Sequence, residues 1–455
     1  MKKIVSLLVC ILLIFGLTAC GADEYPQSSS SEAITETSSE EVSSEESDVS
    51  EQEGSKENKN SSSSKNNTSD GKVTSVNKKP SSSNVTTSKP KKYPTRQRNI
   101  FIRKSNKMYF KCIGRGDSEQ NTLGISLNWS CSSVEFDIDC TGDLAISFTK
   151  GSPSATLYVE IYLDGKQLEE RTKIEASGEL TIATDLEPGV HRVKIVRQTD
   201  CGSSTLTISK ILACGTLVQK APENKPLYIE AVGDASLIAW GVRLADDFFT
   251  DFYANSQEKQ PIARNKENQD GTLSYAYVAA EKLNADSYIL ANQGAGIAAT
   301  YHKSGGVALP RNGLLPTMYE YTYTSGGSKY SATRLPDIIV LDAGSADLSK
   351  DCLAAVQDGG KIGIDKARAN EIAVEFLKTL KKNNPKAKII WCYGLTSGST
   401  ELEKYVLEGA QKAGGAASGI YTLKLNTSTR CGYPSAKEYA AAADLLVNKI
   451  KQITK

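Results

Sequence analysis

With 455 residues, the chain is long enough for two ordinary domains plus tails. Its 54 basic and 53 acidic residues leave a net charge of +1, which argues against a dedicated nucleic-acid binder. Ten cysteines and two histidines show no Cys-x-x-Cys spacing and no Cys/His pairing, so neither a metal site nor another cofactor is expected.

At the N-terminus, Lys2 and Lys3 precede an apolar run from Ile4 to Leu17 that is short for a transmembrane span. The run ends in Leu17-Thr18-Ala19-Cys20-Gly21, which resembles a bacterial lipobox; the resemblance implies a signal peptide over residues 1–20 and lipidation at Cys20. An ordinary signal with an incidental cysteine is the alternative. Eight cysteines then remain, and export permits disulfides among them without specifying any. Residues 21–98 read as a disordered tether: 21 serines occur in the 70 residues from Gly21 to Pro90, with almost nothing able to form a core. Eleven acidic residues fill Asp23 to Glu53, and eleven basic ones fill Lys56 to Arg98. As a coil of roughly 75 residues this segment spans about 50 Å, enough to lift a folded part off a membrane.

From residue 99 to 220 the hydrophobic period is two. Val134, Phe136, Ile138 and Cys140 alternate with acidic residues, and Leu157, Val159, Ile161 and Leu163 alternate with Tyr158, Glu160 and Tyr162. Asp164-Gly165 fits a tight hairpin and Pro188-Gly189 a second turn, so an all-β sandwich or jelly roll is expected. His191 falls on one of its strands and reads as a strand-surface residue.

Residues 221–455 change to buried strands alternating with helices. Leu227 to Val232, Ser287 to Ala291, Asp337 to Leu341, Lys388 to Cys392 and Tyr421 to Leu425 read as strands. Leu237 to Phe249, Asp365 to Lys382 and Ser435 to Ile453 read as helices. Such alternation predicts a three-layer, flavodoxin-like α/β domain whose parallel sheet binds ligands at the carboxyl ends of its strands.

Four segments fall at those carboxyl ends. Gly233-Asp234-Ala235-Ser236 follows the first strand, Gln293-Gly294-Ala295-Gly296 the second and Asp342-Ala343-Gly344-Ser345-Ala346-Asp347 the third; Arg430-Cys431-Gly432-Tyr433 precedes the last helix. Together they resemble the four blocks of the SGNH (GDSL) hydrolases. That resemblance implies that Ala235 stands at the nucleophile position, Gly294 or Gly296 at an oxyanion donor, Ala346 at the oxyanion asparagine, Tyr433 at the general base and Arg430 at its supporting acid. The wider layout is similar to carbohydrate esterase family 2, which joins an N-terminal jelly roll to an SGNH domain and deacetylates plant polysaccharides. Supporting segments include Ile113-Gly114-Arg115, Leu127-Asn128-Trp129-Ser130, Leu315-Pro316-Thr317-Met318-Tyr319 and Ile390-Trp391-Cys392-Tyr393-Gly394.

Acyl transfer needs a nucleophile, a base and donors aimed at the oxyanion, and a methyl group cannot attack an ester. No catalytic residue is expected. The fallbacks are Ser236, whose direction at a helix start differs by about 100° from that of residue 235, and His302. Lys303 or Asp342 is conceivable as a base only after a pKa shift. A site that has lost its chemistry can keep its shape, so Asp234, Trp240, Gly294, Asp347, Trp391, Tyr393 and Tyr433 are candidate ligand-binding residues, with a core role the alternative for both tryptophans. Tyr319, Tyr321 and Tyr323 alternate nearby.

The expected protein is therefore a lipid-anchored surface protein of a Gram-positive-type bacterium, carrying a degenerate esterase module. Its expected partners are polysaccharide or cell-wall glycan, with the membrane reached through the lipid alone and no nucleic acid. The alternatives are a divergent O-deacetylase using Ser236 and an adhesin or assembly partner.

Overall fold

Eight antiparallel strands open the described part of the chain. The structure, a computed structural model, describes residues 92–115, 123–202, 204–323 and 326–455. The expected signal peptide, Cys20 and the expected tether as far as residue 91 lie outside the described residues.

The strands are β1 (Arg98–Phe101), β2 (Lys111–Ile113), β3 (Ile125–Leu127), β4 (Ser133–Lys150), β5 (Tyr158–Leu163), β6 (Lys166–Lys173), β7 (Gly178–Arg197) and β8 (Leu206–Leu217). Their order is β1-β8-β4-β7-β5-β6, with β2 on β4 and β3 on β8. The alternating residues of β4 point inward as read, and Val134, Phe136, Ile138 and Cys140 are fully buried with Phe148, Ile195 and Ile208 in one core. Asp164 and Gly165, both at positive φ, turn β5 into β6. Pro188-Gly189 does not turn the chain but lies inside β7. There β5 pairs only with Val193–Arg197, so at Pro188 one side of β7 has no β5 ladder to interrupt, and the β4 side is already bulged around Gly142.

The second sheet holds β9 (Leu227–Gly233), β10 (Ala285–Ala291), β11 (Ile338–Asp342), β12 (Lys388–Tyr393) and β13 (Ile420–Lys424), all parallel in the order β10-β9-β11-β12-β13. The six helices that matter here are α1 (Ala235–Ile238), α2 (Ser256–Ala263), α3 (Tyr275–Lys282), α4 (Lys366–Asn383), α5 (Thr400–Lys412) and α6 (Ala436–Thr454). Alternate strand residues serve opposite faces. Leu341, Ile389 and Trp391 pack under α4 and α5, whereas Val340, Ile390 and Cys392 pack under α3 and α6. The helices over 365–382 and 435–453 form within a residue or two of their predicted ends, capped by Asp365 and Ser435.

The helix predicted over 237–249 is not continuous. After Ile238 the chain enters the left-handed region at Ala239 (φ 51°) and again at Gly241 (φ 67°), ending α1 after one turn, and only a 3-10 turn, Asp246–Phe249, follows.

Both sheets belong to one compact unit, Lys91–Lys455. The segment after β3 joins them: Ser130 bridges antiparallel to Ile289, covering the β10 edge, and buried Trp129 donates its indole N–H to the Thr322 carbonyl at 2.6 Å. Deeper still, the fully buried guanidinium of Arg115 donates to Glu230 of β9 and to the Tyr288 hydroxyl, both at 2.6 Å, and to the Tyr319 carbonyl. Tyr288 and Tyr319 hydroxyls also donate to Glu230, so this carboxylate has a partner on each oxygen.

Candidate functional site

The carboxyl ends of β9, β10 and β11 meet where the strand order reverses, the place where this class of fold binds ligands. The turn after β9 is tight: a side chain at Gly233 would come within 2.0 Å of the Asp342 carbonyl, so only glycine lets the two strand ends approach. Asp234 caps α1 and accepts the Ala235 amide at 2.6 Å and the Gly294 amide at 2.5 Å. Burial pushes its carboxyl up to about 7, against those two donors, and the nearby carboxyls of Asp342 and Asp347 push the same way.

These bonds decide the oxyanion question. The Gly294 N–H is spent on Asp234 and the Gly296 N–H on the Gly313 carbonyl at 2.9 Å, so neither of the two candidate donors is free. Ala346, fully buried, packs against Gly296 and offers no donor in their place.

Asp347 corrects the reading of it as a ligand contact. It is fully buried and accepts the amides of Ile297, Ala298 and Ala299 at 2.8–3.1 Å, and the Tyr405 hydroxyl at 3.1 Å. Those four donors make it the strut of the loop after β10.

The fallback nucleophile fails on position. Ser236 is 5% exposed, and its hydroxyl lies beside the Asp342 carboxyl without a well-formed hydrogen bond. Burial pushes Asp342 up to about 6, while Ser236 and the Tyr275 hydroxyl, which donates at 2.8 Å, pull the other way. His302 has its Nε2 2.5 Å from the Gln293 carbonyl, so that nitrogen donates and is not a base. No hydrogen bond joins His302 to Ser236.

Three aromatic candidates also move into the framework. Trp391 is fully buried, donates to the Ala343 carbonyl at 3.0 Å and packs edge-on to Tyr405. Trp240 is 5% exposed, with Lys266 4.3 Å above its ring. Tyr393 is 6% exposed and donates to Glu403 at 3.2 Å. Core burial wins for these large rings: Trp391 and Tyr393 lie at the end of β12, and Trp240 in the loop after α1 packs into the same core as α3 and α6.

Tyr433, the residue in the base position, is half-buried. It stacks on Phe249 with centroids 5.7 Å apart, tilts against Phe252 at 5.2 Å and accepts a hydrogen bond from Arg264 at 3.1 Å. Its ring lies against Gly241, where an added Cβ would meet it at 3.2 Å. Arg430, in the acid position, is buried over Phe249 and donates to the carbonyls of Gly241 and Leu244. The cluster Phe248, Phe249, Phe252 and Tyr433 thus packs beside Gly241, with Tyr253, 76% exposed, at its edge, edge-on to Phe252. The sequence does not single out Tyr253, because the expected helix ends at Phe249; the dense aromatic run Phe248, Phe249, Phe252 and Tyr253 is the signal for it.

The eight described cysteines are free thiols, and His191 bonds Asp164 and the Glu187 carbonyl, both at 2.8 Å, on the sandwich hairpin. Among the described residues, no cluster of His, Cys, Asp or Glu could hold a metal ion, and no helix is long and apolar enough to cross a membrane.

Residues 112–222 match the family Carbohydrate esterase 2 N-terminal. A curated relative, the cellulase/esterase CelE of Acetivibrio thermocellus, is 22% identical over 284 residues, covering 62% of this chain; the chain spans about a third (31%) of that relative's length. Among solved structures, a family two carbohydrate esterase from Clostridium thermocellum in complex with cellohexaose superposes with a TM-score of 0.60 at 20% identity, covering 75% of this chain and 98% of that one. The acetyl xylan esterase Est2A of Butyrivibrio proteoclasticus gives 0.62 at 19%, covering 79% and 98%. The described chain shares their fold.

Proposed function

From its kinship with carbohydrate esterase family 2, we propose that this protein holds polysaccharide without deacetylating it. One observation carries the reading: the nucleophile position is a methyl group, and the base position is a tyrosine fixed by Phe249, Phe252 and Arg264. The internal use of both glycine amides removes the remaining electrophilic help. What the surface offers instead is a ring, Tyr253, backed by packed aromatics, a rigid contact of the kind that sugars stack on. The complexed relative's cellohexaose supports a β-linked glucan or xylan as the class of ligand. The lipobox-like Cys20 and the serine-rich tether support display on the outer face of the cell membrane, within reach of cell-wall glycan or other polysaccharide.

The test is retention of the full chain on insoluble cellulose, xylan and wall glycan, alongside acetyl release from acetylated xylan. Retention on at least one matrix is expected, weakened about tenfold by Tyr253→Ala, the equivalent of roughly 1.4 kcal/mol. Acetyl release should stay at background in the wild type and in Ser236→Ala. No retention on any matrix, or turnover that Ser236→Ala abolishes, overturns the proposal.

A further inference from the structure

A cavity of about 660 Å³ lies at the opposite end of the parallel sheet, where β9 and β11 begin and α4 ends. Its wall includes Tyr228, Tyr319, Tyr330, Arg115, Arg334 and Thr379. The size falls within the range of sites that take small organic ligands.

Three properties define what it would accept. First, its charged groups are already matched: Arg115 with Glu230 at 2.6 Å, Arg334 with Asp286 at 2.7 Å, Lys329 with Glu320 at 3.5 Å and Glu375 with Arg368 at 3.3 Å. A neutral ligand therefore meets no unpaired charge, while an ionic one would have to break a pair. Second, ring faces are covered from within. Arg115 sits 4.1 Å over Tyr319 and 4.4 Å over Tyr330, while Tyr228 has Arg334 4.9 Å over its ring and stacks on Tyr288 with centroids 6.4 Å apart. Third, hydroxyls are left over. Tyr228 is 95% buried and its hydroxyl, like that of Tyr330, has no protein partner, in contrast to Tyr288 and Tyr319, whose hydroxyls bond Glu230. Both side chains line the cavity, so a ligand there can take up these hydroxyls in place of solvent.

We propose that this cavity is a second carbohydrate site, taking a neutral, polyhydroxylated segment of an oligosaccharide by hydrogen bonds to the Tyr228 and Tyr330 hydroxyls. Neutral charge and edge-on hydroxyls favour a sugar over a phosphate, a peptide carboxylate or a flat aromatic. The site goes beyond the reading of the carboxyl end, from which the whole sheet separates it, and depends on none of the residues invoked there.

The test is calorimetric titration of the full chain with cellohexaose and with xylohexaose. Removing both hydroxyls in Tyr228→Phe/Tyr330→Phe, which keeps the rings and their cation contacts, should weaken one class of binding by roughly tenfold or more. Thr379→Trp, placed on the exposed side of α4 at the cavity wall, should abolish that class by filling the space. Tyr253→Ala should leave it unchanged, so failure here and failure of the carboxyl-end reading are separable. Binding that survives both cavity changes overturns the proposal, as does a wild type that takes up neither oligosaccharide.

Discussion

At the carboxyl end of the parallel sheet, buried carboxylates are satisfied by backbone amides; at the amino end, the buried carboxylate of Glu230 is satisfied by a guanidinium and two phenols. The first arrangement turns what would be an oxyanion-binding loop inward, because Asp234 takes the Gly294 N–H. The second leaves phenolic hydroxyls facing open space. The two ends share only the strands between them, so the polar groups of one can be consumed inside the framework while those of the other stay open to a cavity.

The comparison breaks most visibly at the amino end. Arg115→Met strands Glu230 without its counter-charge, and a loss of about 3–5 kcal/mol is expected in urea unfolding. A loss below about 1 kcal/mol, the worth of an exposed pair, would mean that the cluster is not the buried unit described. At the carboxyl end, Asp347→Ala leaves three amides and a phenol without their acceptor, and about 3 kcal/mol is expected, with faster hydrogen exchange confined to Ile297, Ala298 and Ala299. Uniform exchange across the sheet would instead point to global loosening.

The smallest effect is a pH dependence. Asp234 is pushed up to about 7 by burial, whereas an unfolded aspartate titrates near about 3.9. The folded state therefore binds this proton more tightly, and its contribution to stability is full below about pH 4 and declines as pH rises to about 7. Asp234→Asn has no proton to lose, so unfolding midpoints measured from pH 4 to 8 should fall less steeply than in the wild type. A gentler slope up to about pH 6 remains, because Asp342, pushed up to about 6, acts in the same direction. Identical slopes in the two proteins would show that Asp234 is not the buried acid proposed.

Periodicity carried most of the fold. Val134 to Cys140 and the five apolar runs from Leu227 to Leu425 are long and regular enough that burial of their apolar residues admits few alternatives. Punctuation was less dependable. The first helix stops at Ala239, which takes a left-handed backbone conformation, although the Leu237 to Phe249 spacing looks helical, and Gly241 does the same two residues on. Pro188-Gly189 looked like a turn and instead sits in a strand where one side carries no β5 ladder.

The candidate site divides along the same line. That position 235 has no hydroxyl, position 346 no amide and position 433 no imidazole is a property of residue identity, and the sequence alone determined it. Which polar groups remain free was decided by tertiary structure, because a hydrogen bond spent is visible only when its partner is in place. Asp347 looks available in the sequence and is consumed in the framework, whereas the two tryptophans take the core role that the sequence already offers them. Glu230 looked like one more residue of a buried strand, and only the arrival of Arg115 from the sandwich makes its charge tolerable there.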